Sequence, residues 1–100
     1  MSASMETPYK IIAESHPIDC AVTLLLNGKF GEDALPELQH SVSRARDAQQ
    51  RVTIDLSEVT LVDRKAVEYF SEQASEHVKF INCPIYLRRW IAQVSDESET

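Results

Sequence analysis

Apolar residues follow two spacings along this chain, and the spacings predict its strands and helices. Runs rich in aliphatic and β-branched residues predict strands at residues 9–15, 18–26, 51–56 and 78–81. Pro17 separates the first two runs, and Asn27-Gly28 ends the second with residues typical of turns. The first two strands therefore form a hairpin, and the third is a central strand.

Helical spacing accounts for most of the remaining apolar residues. The first helix is predicted at residues 33–48, with Asp33 as its cap and Pro36 in its first turn. Asp63 is predicted to cap the second helix, and a third helix covers residues 85–93. The buried stripes of the three helices are Leu35, Leu38, Val42 and Ala45; Ala66, Val67, Phe70 and Ala74; and Leu87, Trp90 and Ile91.

The resulting order, β-β-α-β-α-β-α, predicts a small α/β fold. Strands joined by helices lie parallel through right-handed crossovers, so the sheet is mixed, with about four strands and its helices mainly on one face. One domain is expected at residues 9–92. Residues 1–8 are expected to be disordered, and residues 93–100 form an expected acidic disordered tail.

Composition and charge exclude several functions. The 100 residues are 43% hydrophobic and carry a net charge of −6, much of it in the two ends. Nucleic-acid binding needs a cationic surface, so it is disfavoured. The chain has no apolar run of membrane-spanning length, and its first residues lack a secretory signal. Two cysteines, Cys20 and Cys83, are too few for a disulfide framework, which predicts a cytoplasmic protein with reduced thiols.

Three segments resemble the STAS domain, the fold of bacterial anti-sigma factor antagonists and of sulfate-transporter cytoplasmic tails. The centre of the resemblance is Val-Thr-Ile-Asp-Leu-Ser-Glu-Val-Thr-Leu-Val-Asp at residues 52–63. Residues 25–31 are similar to the family's strand and turn before its first helix, and residues 80–90 to its last strand and helix. The resemblance spans residues 18–91 and implies a regulatory module that binds other proteins without catalysis.

The family's switch residue is altered here. In the antagonists a Ser or Thr follows the Asp and is phosphorylated by a partner kinase, but this chain has Arg64, followed by Lys65 and Ala66. The resemblance thus implies a regulator that is not phosphorylated at the usual site. Its partner would be an anti-sigma factor, a kinase-like regulator or another STAS protein. The expected partner-binding residues are Gly28, Lys29, Phe30, Gly31, Asp63, Arg64, Lys65 and Val67.

Two other functions remain open from the residues. Arg64 and Lys65 begin a helix, where the backbone dipole favours anions, so they either extend into solvent beside Asp63 or meet an acidic partner or a small anionic ligand. A small-anion or ligand sensor is therefore the alternative. Cys83 and Arg89 have the C-x5-R spacing of cysteine phosphatases, but Pro84 and bulky residues stand between them, which makes an enzyme a remote alternative.

The remaining polar residues predict no metal site and no cofactor. His16, His40 and His77 belong to different elements and lack metal-ligand spacing. Ser57 and Thr60 are expected in a loop, and Asp55 at a sheet edge or a hydrogen-bonded strand end. Exposed strand edges in so small a sheet allow a homodimer.

Overall fold

Two long strands with alternating apolar residues form the middle of the sheet. The computed structural model describes residues 9–76 and 78–98. Their four strands are arranged in the order β1-β2-β3-β4. β1 pairs antiparallel with β2, while β2 with β3 and β3 with β4 are parallel. The strands are β1 (Tyr9–His16), β2 (Ala21–Phe30), β3 (Arg51–Val62) and β4 (Lys79–Ile81).

Three helices alternate with these strands and pack against the apolar side of the sheet. They are α1 (Leu35–Asp47), α2 (Arg64–Ser75) and α3 (Ile85–Ser98). The predicted mixed α/β sheet and the β-β-α-β-α-β-α order are confirmed. Every second residue of β2 from Val22 to Leu26, and of β3 from Val52 to Leu56, is buried in one core with the helices. Its fully buried large side chains are Leu24, Leu26, Phe30, Leu38, Ile54, Leu56, Val67, Phe70 and Leu87.

The hairpin turn is longer and ends later than the sequence predicted. Ile18 was placed in the second strand, but it lies in a 3-10 turn at Pro17–Asp19 and is 98% exposed. Cys20 completes the turn with a positive φ of 51°. At the other end, Asn27 and Gly28 were expected to stop β2, but the strand continues through them to Phe30. The turn-forming residues instead mark an irregularity within the strand, described below.

The predicted helices need three corrections, two to their ends and one to a buried face. Asp33 was expected to cap α1, but it lies in a 3-10 turn, and Ala34 precedes the helix without a side-chain cap. Ala74 was placed on the buried face of α2 but is exposed, and Tyr69 is buried instead. α3 was expected to end at residue 93, but it continues to Ser98 because Val94 adds a buried residue to its inner face. Part of the expected acidic tail is therefore helical, whereas residues 1–8 and 99–100 lie outside the described residues.

Candidate functional site

The two segments predicted to bind a partner meet at the carboxyl ends of β2 and β3. Lys29 pairs with Leu61 and Phe30 with Val62, so both strands end side by side. The first turn of α2 follows directly after Asp63. We call the surface formed by residues 28–32 and 61–67 the corner. In parallel α/β sheets, this end of the strands is where binding sites are usually located.

Two β-bulges in β3 set the direction in which its last residues point. Leu25 pairs with Asp55 but Asn27 with Glu58, and Gly28 pairs with Val59 but Lys29 with Leu61. At each shift β3 contains one more residue than β2. An extra residue moves the following side chains to the other face of a sheet. Both Ser57 and Thr60, expected in a loop, lie within this bulged part of β3.

Asp55 stabilises the first bulge. Its Oδ1 atom accepts hydrogen bonds from the backbone N–H of Ser57 at 2.9 Å and from Nδ2 of Asn82 at 3.3 Å. An extra residue in a strand leaves some of its backbone N–H and C=O groups without a partner on the neighbouring strand. The Asp55 carboxylate accepts from one of these groups, the N–H of Ser57. Partial burial, the largest single influence, raises the pKa of Asp55. The hydrogen bonds from Ser57 and Asn82 together outweigh it, so this pKa lies below its ordinary value. The hydrogen-bonded strand end expected for Asp55 is what the structure contains.

We expect Asp55→Asn to weaken the pH dependence of stability in acid. A carboxyl group whose pKa is lower in the folded state than in the unfolded state stabilises the fold at pH values above the unfolded-state pKa. That stabilisation is lost as the pH falls through the folded-state pKa. At neutral pH the variant should lose about 1 kcal/mol or less, since its amide oxygen still accepts from Ser57. Urea unfolding should show this difference shrinking below about pH 4. Glu58→Gln controls for loss of one charge on the same strand. A difference for Asp55→Asn that stays constant with pH would contradict the argument.

Asp63 joins the two halves of the corner. Its Oδ1 atom accepts from the backbone N–H of Ala66 at 2.9 Å, which confirms the predicted cap of α2. Its Oδ2 atom accepts from the backbone N–H of Glu32 at 3.0 Å, in the turn before α1. One carboxylate therefore binds amides of both segments. The 3-10 turn found where Asp33 was expected to cap α1 begins at Glu32, so Asp63 binds the first backbone N–H of that turn.

Gly31 makes this close approach possible. An added Cβ at Gly31 would lie 2.7 Å from Oδ2 of Asp63 and 3.2 Å from its Cγ. Carbon and oxygen atoms do not pack that closely, so any larger residue must displace the carboxylate. The φ of −131° at Gly31 is ordinary extended backbone. Lack of space, and not backbone conformation, is what selects glycine here.

The predicted partner-binding residues divide into a surface group and a buried group. Lys29, Arg64 and Lys65 are exposed, and Asp63 is exposed beside them. Phe30 and Val67 have 1% and 0% of their surface accessible. Their side chains belong to the core beneath the corner and are unavailable to a partner, which corrects their assignment as contact residues. Gly28 and Gly31 are partly exposed and shape the backbone.

The charges at the corner are mixed. Nε of Arg64 donates to Oε2 of Glu68 at 3.1 Å, one helical turn away, so part of its charge is neutralised. A cavity of about 280 Å³ beside Gly31 is lined by Lys29 but also by Glu32, Asp33 and Asp63. Three carboxylates around one ammonium group do not favour an anion. The corner suits a protein surface carrying both signs of charge better than a small anionic ligand.

Leu61 is a surface residue of the corner that is absent from the predicted partner-binding residues. It is 53% exposed, since the second bulge turns it out of the core that Val59 and Val62 enter. A shallow cavity of about 100 Å³ lies between Leu61, Lys29 and Gly31. The change in apolar spacing from two to three after Leu56 was the available signal. A single exposed apolar side chain is ordinary on a protein surface, but this one lines the same cavity as the charged residues Lys29 and Asp63.

The C-x5-R segment has the geometry of a helix start. α3 begins at Ile85, and the N–H of Arg88 donates to the carbonyl of Pro84 at 2.9 Å. The backbone amides between Cys83 and Arg89 are thus directed along a helix and do not surround a phosphate. Burial raises the pKa of Cys83, only partly offset by the positive charge of Arg88. Cysteine nucleophiles need the opposite shift.

The two histidines in the described part of the chain are not residues of the corner. His16 lies in β1 and shares a 3.2 Å hydrogen bond with the Thr23 hydroxyl, while His40 is exposed on α1. His77 lies outside the described residues. Within residues 9–76 and 78–98, no three His, Cys, Asp or Glu side chains are grouped closely enough to hold a metal ion. None of the described helices combines the length and apolar character needed to cross a bilayer.

Comparison with known protein families and with curated proteins finds no match to this chain.

Proposed function

We propose that this protein is a non-catalytic regulatory module of the cytoplasm that binds another protein through the corner. Its role would resemble that of an anti-sigma factor antagonist without phosphorylation at the usual site. The observation that supports this best is the joining of the β2 end to the α2 start through the two hydrogen bonds of Asp63. A surface whose two segments are fixed before binding loses little conformational entropy when it docks.

The side chains around Asp63 supply contacts suited to a protein partner. Leu61 offers an exposed apolar group, and Lys29 and Lys65 offer positive charges nearby. Arg64 stands where the resembled antagonists have the phosphorylated Ser or Thr, and its side chain has no hydroxyl group to receive the phosphate. Affinity for the partner would then depend on the corner itself and on the amount of protein present, and not on a phosphate.

The test compares two charge reversals of equal size. Lys65→Glu lies in the corner, and Arg89→Glu lies on the exposed side of α3. Both change the net charge by −2, so general electrostatic effects are matched. Tagged proteins would be used to capture partners from the native host's lysate, and each captured regulator would be purified for titration. We expect Lys65→Glu to weaken binding about tenfold or more, equal to about 1.4 kcal/mol, and Arg89→Glu to have little effect.

Two results would contradict the proposal. Equal affinities of wild type and Lys65→Glu for every captured regulator would remove the corner from the interface. Phosphate incorporated at Ser57 or Thr60, the hydroxyl-bearing residues in the bulged part of β3, on incubation with a captured kinase and ATP would refute regulation without a phosphate. A captured kinase or sigma-regulatory protein that is lost in Lys65→Glu and retained in Arg89→Glu would support both the role and the surface.

A further inference from the structure

β1 is an edge strand, and none of the described strands pairs with its outer side. The sheet order places β1 and β4 at the two edges. β4 has only three residues, which is too short for a long ladder, whereas β1 has eight. From Ile12 to His16 every residue of β1 is exposed. Proteins usually protect such an edge with charged side chains, prolines or bulges, because it can pair with another strand.

β1 is held in place by its inner neighbours. The Tyr9 hydroxyl donates to Oε1 of Glu37 on α1 at 2.9 Å, and its ring packs edge-on against Phe30 with centroids 5.4 Å apart. β1 is also paired with β2 along its whole length, from Tyr9 opposite Gly28 to His16 opposite Ala21. The outer edge is therefore presented in a fixed conformation to whatever approaches it.

The sequence of β1 is complementary to itself. In an antiparallel pair of identical strands related by a twofold axis, a ladder centred on Ile12 places Lys10 opposite Glu14 of the second copy. The symmetry produces this opposite-charge pair twice. The same register places Ile12 opposite Ile12 and extends over residues 9–15. Besides His16, the strand contains two charged residues, Lys10 and Glu14. In this register each of them lies opposite a residue of the other charge.

Neighbouring registers lose this complementarity. Side chains alternate between the two faces of a strand. The matching faces of the two sheets therefore stay on the same side only when the ladder is centred on a residue, so the alternatives are ladders centred on other residues of β1. Centring on Ala13 would place Ile12 opposite Glu14, and centring on Ile11 would place Lys10 opposite Ile12. Centring on Glu14 would place two carboxylates against each other. The register at Ile12 is the one that matches charge with charge and apolar with apolar.

The open face of the sheet supplies an apolar row in the same register. Ile12 is 37% exposed and lies beside Leu25, its partner on β2. In the ladder centred on Ile12, these two residues and their symmetry mates form four adjacent apolar side chains across the junction. Cross-strand apolar and opposite-charge pairs are the contacts that stabilise antiparallel sheets.

We propose that a second copy of this chain occupies the β1 edge, forming a symmetric dimer with a continuous eight-stranded sheet through an antiparallel β1–β1 ladder centred on Ile12. This inference is independent of the proposed function, because β1 lies at the edge of the sheet and supplies no residue of the corner.

Charge exchange is the first test of the register. Sedimentation of the wild type should show a mass rising with concentration from 11.3 kDa toward twice that value. Lys10→Glu or Glu14→Lys alone places like charges opposite each other twice, so each should weaken dimerisation about tenfold or more. The double exchange Lys10→Glu/Glu14→Lys should restore it. Glu14→Lys is the sharper single variant, since it reduces the magnitude of the net charge from 6 to 4, which by itself would favour association.

Disulfide formation is the second test, because it depends directly on the distance between the two copies of a residue. With Cys20 and Cys83 replaced by Ser, Ile12→Cys places two thiols on the twofold axis. The Cα atoms would be about 4.5 or 5.5 Å apart, within the range of a disulfide. Lys10→Cys is the matched control, because two copies of residue 10 lie about 14 Å apart in this register. We expect rapid cross-linking of Ile12→Cys and little of Lys10→Cys, with circular dichroism confirming that each variant folds.

Several outcomes would overturn this dimer. One is a monomer at every concentration up to the millimolar range. Another is a dimer that the double exchange fails to restore. A third is a dimer abolished by Lys79→Glu, the same charge change on the β4 edge, while Lys10→Glu leaves it intact. Equal cross-linking through residues 10 and 12 would point to random collisions and would also reject the ladder.

Discussion

Asp63→Ala is expected to lower the free energy of unfolding by about 2 kcal/mol, or the Tm by about 10 °C for a domain of this size. The substitution removes the acceptor at 2.9 Å from the Ala66 amide, and loss of an N-cap costs about 1 kcal/mol. It also removes the acceptor that lies 3.0 Å from the Glu32 amide. Loss of this exposed hydrogen bond costs about 1 kcal/mol in addition. Urea or thermal unfolding followed by circular dichroism measures the sum.

Two further variants separate the two bonds. Asp63→Ser keeps one oxygen at the cap position but is too short to reach the turn before α1. Its loss of stability should therefore be about half that of Asp63→Ala. Asp33→Ala is the matched control, since Asp33 was the predicted cap of α1 but lies in a 3-10 turn. It should change stability by about 0.5 kcal/mol or less. Equal effects of Asp33→Ala and Asp63→Ala would show that the carboxylate of Asp63 does not join the two segments.

The strands and helices could be predicted because their apolar periodicity is regular. Val52, Ile54 and Leu56 alternate with less buried residues in β3, and Leu38, Val42 and Ala45 recur at helical spacing in α1. Each pattern has only one arrangement that buries its apolar side. The order of the elements and the parallel pairing of β2 with β3 follow from these patterns and the preference for right-handed crossovers.

The errors arose where a local signal depended on distant residues. Asp33 and Asp63 both precede a helical stripe, and the sequence alone predicts a cap at each. Only Asp63 is a cap, and its second oxygen binds the turn in which Asp33 lies. Asn27-Gly28 likewise has the composition of a turn. Its pairing with the bulged part of β3 converts it into a strand irregularity.

The corner was predicted in outline but not in its surface. The sequence placed the β2 end and the α2 start in one candidate site, and the parallel pairing of Phe30 with Val62 brings them together. It could not separate Lys29, which is exposed, from Phe30, which is buried, because β2 was expected to end at Leu26 and no strand alternation was assigned to these two residues. The exposure of Leu61 was missed because neither bulge in β3 was anticipated. The directions of the β3 side chains at this site therefore depend on two extra residues more than on the order of the elements.

Gly31→Ala is expected to destabilise the wild-type protein by about 1 to 2 kcal/mol, because its Cβ would lie 2.7 Å from Oδ2 of Asp63. The carboxylate must rotate away from the Glu32 amide to make room. The backbone at Gly31 is extended, so alanine meets no conformational strain there. In an Asp63→Ala background the steric conflict is gone. The same substitution should then be neutral or stabilise by up to about 1 kcal/mol, because alanine restricts the unfolded chain.

Gly28→Ala distinguishes this mechanism from a general preference for glycine in the corner. Gly28 has a positive φ of 89°, which disfavours a side chain whether or not Asp63 is present. Its cost should therefore be similar in both backgrounds, whereas the effect of Gly31→Ala should disappear or change sign. Unfolding measurements on the double-mutant cycle give the coupling directly. If Gly31→Ala destabilised both backgrounds equally, the close packing of Gly31 against the Asp63 carboxylate would not be the reason for glycine at this position.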